Sequence, residues 1–492
     1  MKFARKAISL ILILAFVFIC TGCGRSYKDA YIYFELTEPP ETLDAQTAYT
    51  DSELILVRNI YEGLLRENSN GEIVNGACEG YSVDGLSYTF TLRDKLFWSN
   101  GDALTAHDFV FGLRRAVNPE TRAPLAHLLY SIKGAEAIAS GSADVSTLGV
   151  EALDKKTLKI TLCREDNNFL KALTMSVAMP CNEEFFGECV GKYGLKSEFV
   201  ISNGSYSITK WNRDEFGIRL YKNKKYNGEH EAHNAAVFIS CDDEEKQISR
   251  LSKGNSDMAF VPSAELGDTP DGVALAAVQN KCWLLTVGDT YSAQIKKAFA
   301  MAFSGDVYNT SLPQGFSVAH SLYPEILGVD EQAQGVGLTA YDISSAFNII
   351  SSEVSRMEDK KFPTAKLYYY NADGIKPLVT AIVGHWQQKL STFINIEQSD
   401  SLSALQAEIN EKTLPFAIFP VTAKTTLFSD YVRNFGTDNT DAVALQTELA
   451  SGNSLIPIAF EDTTIAYNDE LQNIVMRPDN GYIDFSYIIK YD

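Results

Sequence analysis

The chain offers few residues whose types and spacing could support chemistry, and the clearest set is a cluster of His and Glu. Residues 229–233 read Glu-His-Glu-Ala-His, which would place two imidazoles on one helix face at a spacing suited to a metal ion. The cluster follows Asn227-Gly228, a dipeptide typical of a turn. We therefore predict a solvated charged loop at this point, with no metal ion and no cofactor.

Recognisable enzyme motifs are missing from the rest of the sequence. It contains no GxSxG, HExxH, Walker A or GxGxxG pattern. The other histidines are isolated from one another, at positions 107, 127, 320 and 385. We predict that the chain is not an enzyme and that it makes or breaks no bond.

The first residues predict an exported protein. Lys2, Arg5 and Lys6 precede an uncharged apolar run from Ala7 to Cys20, which is long enough for a signal-peptide core but short for a membrane span. The run ends in Cys-Thr-Gly-Cys at residues 20–23, which resembles a bacterial lipobox with Cys20 where Leu is usual. We expect residues 1–22 to be a lipoprotein signal peptide and Cys23 to carry a lipid at the membrane surface. A plain signal peptide is the alternative.

Composition limits the class of protein further. The 492 residues are long enough for two or three domains, and 45% are hydrophobic. The net charge of −20 argues against nucleic acid as a partner, because phosphate binding needs clustered Lys and Arg. Six cysteines beyond the lipobox lack CxxC spacing and are expected to be separate buried thiols, with Cys181 and Cys189 the nearest alternative disulfide pair.

A strand, a turn and a helix are predicted between Tyr88 and Arg115. Residues 88–92 alternate as a half-buried strand does, and Asn100-Gly101 is a turn dipeptide. Thr105 and Asp108 then precede an apolar helix face, as a capping residue and a first-turn acid would. These elements alone require no catalytic residue.

The same stretch carries a family resemblance. Its sequence, together with Asp84-Gly85, is similar to a block in the extracytoplasmic solute-binding proteins of peptide-type ABC importers. The order of later pieces, including Asn118-Pro119 and Asn203-Gly204, resembles the oligopeptide-binding branch. The resemblance implies a two-lobed α/β fold with an extra small α+β subdomain on the first lobe. It assigns residues 23–65, 192–262 and 455–492 to the first lobe, 66–191 to the subdomain and 263–454 to the second lobe.

The resemblance also implies a ligand and partners. An extended oligopeptide would be held between the lobes and delivered to a permease driven by an ATPase, by a monomeric protein on the outer face of the cytoplasmic membrane or in the periplasm. The positions that match the family's ligand-binding segments are Glu35, Thr37, Thr42, Asn203, Tyr206, Phe419, Val421 and Thr422.

One motif departs from the family pattern. The aspartate that grips a peptide's α-ammonium in relatives falls on or near Thr422, and Lys424 brings the same charge as an ammonium. Pro420 removes a backbone donor, and Asp430 is the nearest acid. Two alternatives therefore stay open: a peptide-sensing or chaperone-like lipoprotein without transport, and a carrier of a non-peptide ligand such as a metal chelate.

Overall fold

The structure is a computed structural model of the 492-residue chain. It describes residues 30–212, 215–241, 246–330, 333, 335–372, 374–479 and 481–490. The predicted signal peptide and Cys23 lie outside the described residues. Among the described helices, none is long and apolar enough to cross a membrane.

Strands and helices alternate along the described chain. The strands are β1 (Tyr31–Glu35), β2 (Leu65–Glu67), β3 (Ile73–Asn75), β4 (Cys78–Asp84), β5 (Ser87–Leu92), β6 (Val150–Ala152), β7 (Thr157–Thr161), β8 (Tyr206–Asn212), β9 (Glu215–Lys222), β10 (Ala236–Ser240), β11 (Met258–Phe260), β12 (Val273–Val287), β13 (Phe316–Val318), β14 (Ala365–Tyr370), β15 (Ile394–Ser399), β16 (Phe416–Thr422), β17 (Leu455–Asn468), β18 (Met476–Arg477) and β19 (Tyr482–Ile483). The helices are α1 (Asp51–Ile60), α2 (Ala106–Val117), α3 (Ala135–Ala139), α4 (Phe169–Ala172), α5 (Glu183–Glu188), α6 (Gln247–Ser252), α7 (Ala293–Met301), α8 (Gly305–Tyr308), α9 (Ile343–Arg356), α10 (Lys376–Leu390), α11 (Leu402–Asn410), α12 (Phe428–Tyr431) and α13 (Ala442–Ser451).

One mixed sheet of eleven strands runs through both lobes. Its order is β15-β14-β16-β12-β17-β11-β1-β10-β9-β8, and β13 also pairs with β17. The first lobe is built on β11, β1, β10, β9 and β8, and the second on β14, β15 and β16. Strands β12 and β17, of 15 and 14 residues, pair antiparallel along most of their length and continue from one lobe into the other.

Alternation along the strands of the second lobe separates two cores. Trp283 of β12 and Phe416 of β16 belong to one buried cluster, which helices α7, α9 and α10 cover. Leu284 and Ala417, the next residues along, belong to a second cluster on the opposite side of the sheet. Successive side chains of a strand point to opposite faces, so each strand contributes to both cores.

The extra subdomain on the first lobe has its own sheet, in the order β4-β5-β7-β6. Helix α2 begins as predicted, because Asp108 accepts hydrogen bonds from the Thr105 amide at 2.7 Å and from the Thr105 hydroxyl at 2.9 Å. The predicted strand over residues 88–92 is confirmed as β5. The buried residues of the subdomain form one continuous hydrophobic cluster with those of the first lobe. The expected two-lobed α/β fold with an added α+β subdomain is thereby confirmed.

The six described cysteines form no disulfide with one another. Cys78, Cys181, Cys189 and Cys282 are buried as expected, but Cys163 is exposed and Cys241 is half-buried. Burial raises the pKa of Cys78 to about 11 and that of Cys181 to about 12. These two thiols are therefore protonated and unreactive at neutral pH.

Candidate functional site

Two cavities lie between the lobes. The hinge cavity, of about 350 Å³, is lined by Thr37 and Asp51 of the first lobe and by residues next to the interlobe strands. The latter are Phe260, Val261, Pro262, Ser263, Lys281, Tyr370, Asn371, Ala372, Glu461, Asp462, Thr463 and Thr464. The rim cavity, of about 290 Å³, lies between the subdomain and the second lobe; its lining is Tyr49, residues 123–127, Tyr130, Thr422, Lys424, Asp430, Arg433 and Asn434.

An ion pair joins the two lobes where these cavities meet. The Lys424 ammonium lies 2.7 Å from a carboxylate oxygen of Asp51 and 5.8 Å from the centre of the Tyr49 ring. The side chains of Lys424 and Asp51 are 22% and 32% exposed. Burial by itself lowers the pKa of Lys424, but the adjacent Asp51 carboxylate outweighs it and holds that pKa above the ordinary value. Lys424 is thus a permanent cation inside the cleft.

The residues that follow β16 make further contacts between the lobes. We call residues 423–430 the cleft loop. Asp430 is 2.8 Å from His127 Nε2 of the subdomain and accepts a hydrogen bond of 3.0 Å from the Thr425 hydroxyl. Thr426 donates its amide and its hydroxyl to Asp479, at 2.7 and 2.8 Å. The structure is therefore a closed form, in which one loop of the second lobe bonds to several parts of the first.

Part of β16 is an open edge. Strand β14 pairs with β16 only at Phe416–Ile418, whereas β12 pairs with it along its whole length. Within the described chain, the β14 side of residues 419–422 therefore has no strand partner. The residues just after β14 line the hinge cavity and Thr422 lines the rim cavity, so the edge leads from one cavity to the other. Such an edge can accept an extended chain by adding it as another strand.

The hinge cavity is rich in charge. Lys281 and Glu461 form an ion pair of 2.8 Å between β12 and β17, and Glu461 also accepts a 2.7 Å hydrogen bond from Trp283. Asp462 is half-buried, and no described residue makes a hydrogen bond or ion pair with its carboxylate. Burial, with the nearby charge of Glu461, raises the pKa of Asp462. The charge of Lys281 acts in the opposite direction and is outweighed.

Of the predicted ligand-binding residues, the structure places Thr37 at the hinge cavity and Thr422 at the rim cavity. Phe419 and Val421 point into a hydrophobic core of the second lobe, and Pro420 between them gives the open edge a carbonyl but no N–H donor. Residues two apart on a strand point to the same face of the sheet, and this face of β16 lies on that core.

The predicted residues of the first lobe serve its internal structure. Glu35 is 2% exposed and accepts hydrogen bonds from Arg250 and Ser240. Thr42 is half-buried, and its amide donates to Glu53 at 3.1 Å. Tyr206 has no exposed surface, and its hydroxyl donates to a backbone carbonyl of the carboxyl-terminal tail. The structure thus differs from the expectation that these side chains line the cleft.

Asn203 has a structural task that the sequence alone did not indicate. Its side chain accepts from the amide of Glu62 at 3.1 Å and donates to the Glu62 carbonyl at 2.8 Å. The backbone amides of Asn203 and Gly204 also donate to the carbonyl of Ile60, the last residue of α1. The Asn-Gly pair therefore caps the end of that helix.

Comparison with known proteins assigns the family. Residues 72–442 match the model of the bacterial extracellular solute-binding proteins, family 5. The chain belongs to this family. This solute-binding protein is 25% identical to the dipeptide-binding protein DppE of Bacillus subtilis over 92% of the chain and 86% of the relative. It is also 25% identical to the oligopeptide-binding protein OppA of B. subtilis over 70% of the chain, and that match spans 66% of the relative's length.

Solved structures share the fold of this solute-binding protein. Listeria monocytogenes OppA bound to peptide superposes with a TM-score of 0.74 at 18% identity, covering 94% of this chain and 99% of that one. The unliganded open form of the murein tripeptide-binding protein MppA scores 0.68 at 20% identity, covering 95% and 98%. Another structure of MppA, from Escherichia coli, scores 0.75. The lower score against the open form agrees with the contacts that close the cleft.

The His and Glu cluster at residues 229–233 is packed against the carboxyl-terminal tail. His230 Nδ1 is 3.3 Å from the Tyr487 hydroxyl, and His233 Nδ1 is 2.5 Å from the carbonyl of Ser486. Among the described residues no group of three or more His, Cys, Asp or Glu is arranged to hold a metal ion. Burial, with the nearby charge of Arg66, lowers the pKa of His230 to about 4.

Lys424→Gln is expected to shift the chain toward an open form. The substitution removes the ion pair with Asp51, and a partly exposed pair is worth roughly 1 kcal/mol, so the ratio of closed to open molecules should fall about fivefold. Small-angle scattering would record this as a larger radius of gyration. The control is Lys366→Gln, which removes an exposed ion pair with Glu397 within the second lobe. Identical scattering from Lys424→Gln and the control would contradict a role of the Lys424–Asp51 pair in closure. Exchanging the two charges (Lys424→Asp with Asp51→Lys) should restore the closed form.

Acid should destabilise the fold in part through His230. Its pKa is about 4 in the folded chain and about 6.5 when unfolded, so the unfolded chain binds the extra proton in this window and stability falls as pH drops from 6.5 to 4. Between pH 7 and pH 4, the free energy of unfolding of His230→Gln should therefore fall by roughly 1 kcal/mol less than that of the wild type. This figure is reduced from the full effect of the pKa shift because the imidazole is partly exposed. Urea unfolding at several pH values measures this, with the exposed His107→Gln as control. Parallel pH profiles for wild type and His230→Gln would disprove the assignment.

Proposed function

We propose that this chain is a lipid-anchored component of an ABC importer that captures oligopeptides between its lobes and delivers them to a permease. The observation that carries the proposal is the open edge of β16, which runs between two interlobe cavities. Backbone pairing along that edge would hold peptides of varied sequence, because it does not depend on side chains. The names of DppE and OppA, which describe dipeptide and oligopeptide binding, support the same ligand class.

The proposal includes a domain division and a location. We assign residues 23–65, 192–262 and 455–492 to the first lobe, 66–191 to the subdomain and 263–454 to the second lobe. Strands β12 and β17 cross these boundaries, since Ile456 and Ile458 of β17 belong to a core of the second lobe. Cys23, after removal of residues 1–22, would carry the lipid that keeps a monomeric protein at the outer membrane surface, next to the permease and its ATPase. Closure around the ligand would be favoured by contacts that the open form lacks.

The missing aspartate at Thr422 requires another partner for a peptide's α-ammonium. Asp430 lines the rim cavity, but its carboxylate is already engaged by His127 and Thr425. Asp462 lines the hinge cavity, is half-buried and has a raised pKa. We therefore assign the ammonium to Asp462, whose half-buried carboxylate lines the cavity and could accept a charge-assisted hydrogen bond from it.

A thermal-shift screen tests the ligand class. Free peptides should raise the melting temperature, because a ligand at a hundredfold excess over its Kd stabilises the native state by about 2.7 kcal/mol. Pools of free, amino-acetylated and carboxyl-amidated peptides are compared with metal chelates. A response to chelates alone would overturn the proposal in favour of a non-peptide carrier. If the protein binds peptides but its deletion does not impair growth on peptides, a sensor or chaperone-like role would be favoured.

Asp462→Asn should weaken binding of free-amine peptides about tenfold or more, because the charge-assisted bond is lost. Binding of amino-acetylated peptides should change little. Isothermal titration with matched free and acetylated peptides measures both, and Asp430→Asn is the comparison. Selective loss in Asp430→Asn rather than Asp462→Asn would place the ammonium in the rim cavity instead.

A further inference from the structure

Four aromatic rings lie together on the outer face of the first lobe. Tyr31 and Tyr33 of β1 and Tyr221 of β9 are 44%, 45% and 37% exposed, and the half-buried Phe238 of β10 lies between them. Phe238 stacks on Tyr31 at 5.3 Å between ring centres and contacts Tyr33 at 5.4 Å and Tyr221 at 6.1 Å. We call these four residues with Arg219 the aromatic face.

Strand register explains why the rings share one face. Tyr33 is paired with Phe238, and Phe238 is paired with Arg219. Tyr31 and Tyr221 are both paired with Ala236, two residues before Phe238. Paired residues on neighbouring strands, and residues two apart on one strand, point to the same side of a sheet. Single exposed apolar residues scattered over a surface need no explanation. Three exposed tyrosines on one sheet face instead form a patch, which is a feature of surfaces that contact a partner.

The aromatic face also carries positive charge in a chain that is otherwise acidic. The Arg219 guanidinium lies 5.9 Å from the centre of the Phe238 ring. Lys222, Lys224 and Lys225 are exposed at the end of β9 that follows Tyr221, and the ion pair of Lys222 with Glu231 is itself exposed. Without residues 1–22, which hold three basic residues and no acid, the net charge of the chain changes from −20 to −23. An anionic surface would therefore attract this end of the molecule and repel most of the rest.

The position of the amino terminus identifies the partner. The carbonyl of Ala30, next to Tyr31, accepts a hydrogen bond of 3.0 Å from Ala235, and the Ala235 carbonyl accepts one from Lys222. The chain therefore leaves the first lobe beside the aromatic face and the lysines. Residues 23–29 can span at most roughly 25 Å when fully extended. A lipid on Cys23 would keep this face within that distance of the bilayer.

We propose that the aromatic face docks on the headgroup region of an anionic membrane and orients the cleft with respect to the bilayer. Tyrosine suits this position, because its ring is apolar and its hydroxyl remains hydrated at the interface. The proposal rests on the proposed lipidation of Cys23, which provides the proximity. The lipid supplies most of the membrane affinity, and the aromatic face supplies the orientation.

A fluorescent probe tests the contact in the lipidated protein. All four native tryptophans (98, 211, 283 and 386) are buried, with at most 3% of their surface exposed, so a tryptophan placed on the surface gives a separable signal. Tyr33→Trp in vesicles of phosphatidylglycerol with brominated lipid should be quenched severalfold more than Tyr81→Trp. Tyr81 is the matched control, because it is 41% exposed on the subdomain sheet. Equal quenching at both positions, or none at either, would overturn the proposal.

A partition experiment separates the aromatic face from the lipid. The mature chain with Cys23→Ser should bind phosphatidylglycerol vesicles weakly and in a salt-dependent manner. Replacing Tyr31, Tyr33 and Tyr221 by Ser should lower the partition coefficient at least about tenfold. The control replaces Tyr81 and Tyr341, each 41% exposed, by Ser. Equal vesicle binding by the triple Tyr→Ser variant and the control would refute lipid docking. A loss of binding seen only when the permease is present in the vesicles would also refute it, and would assign the aromatic face to a protein partner.

Two further measurements keep this proposal distinct from the function. Mass spectrometry of the mature amino terminus reports whether Cys23 is acylated, and an unmodified Cys23 would remove the proximity on which docking rests. The peptide-dependent thermal shift should be the same in the triple Tyr→Ser variant as in the wild type, which also verifies that the variant is folded. A failure of peptide binding in the wild type would count against the proposed function and leave the vesicle results unaffected.

Discussion

The antiparallel pairing of β12 with β17 is the constraint on which both lobes depend. The two strands are neighbours from Val273 and Asn468 at one end to Thr286 and Leu455 at the other, with irregularities in register near Gln279 and Leu284. Strand β12 also pairs with β16 of the second lobe through residues 281–287, and β17 pairs with β11 of the first lobe through residues 465–467. The connection can therefore bend at the irregularities while the pairing on either side of them joins the two lobes.

Closure rests on much weaker forces than this connection. The contacts between the cleft loop and the first lobe are ion pairs, hydrogen bonds and the packing of Leu427, which is 6% exposed within the hydrophobic cluster of the first lobe; the Lys424–Asp51 pair remains partly exposed. Each polar contact contributes about 1 kcal/mol or less, and the burial of one Leu adds about 1.5–3 kcal/mol, which is small beside the hydrophobic cores of the separate lobes. Opening would therefore expose Leu427 but leave the rest of either core in place. Reversible closure is what capture and release of a ligand require.

Local patterns predicted much of the fold. Thr105 with Asp108 indicated the start of α2, and the alternation at 88–92 indicated β5, since both depend on neighbouring residues alone. The long strand β12 was not predicted, because its sequence does not alternate and its partner lies nearly two hundred residues further along the chain. The end of α1 also depends on distant residues, because the groups that terminate it belong to Asn203 and Gly204.

The site was harder to predict than the fold, for one physical reason. A segment at the cleft contributes some residues to the cavities and others to the core. Thr37 and Thr422 line cavities, whereas Tyr206 is fully buried. Asp51 lies in the first turn of α1, directly after the capping residue Thr50. Its contact with Lys424, 373 residues away, depends on how the lobes close.

The charges around the hinge cavity reconcile Lys424 with a cationic ligand. Lys424 pairs with Asp51 and Lys281 with Glu461, so these groups and Asp462 together carry one net negative charge. Burial and the charges of Glu461 and Glu325 raise the pKa of Asp462, and together they outweigh the opposing charge of Lys281. A single ammonium would neutralise the cavity, and a carboxylate would double the imbalance. Asp51 pairs with Lys424, so this lysine serves to close the lobes and does not exclude an ammonium. The hinge cavity retains the Asp462 carboxylate, which is the charge that an ammonium needs.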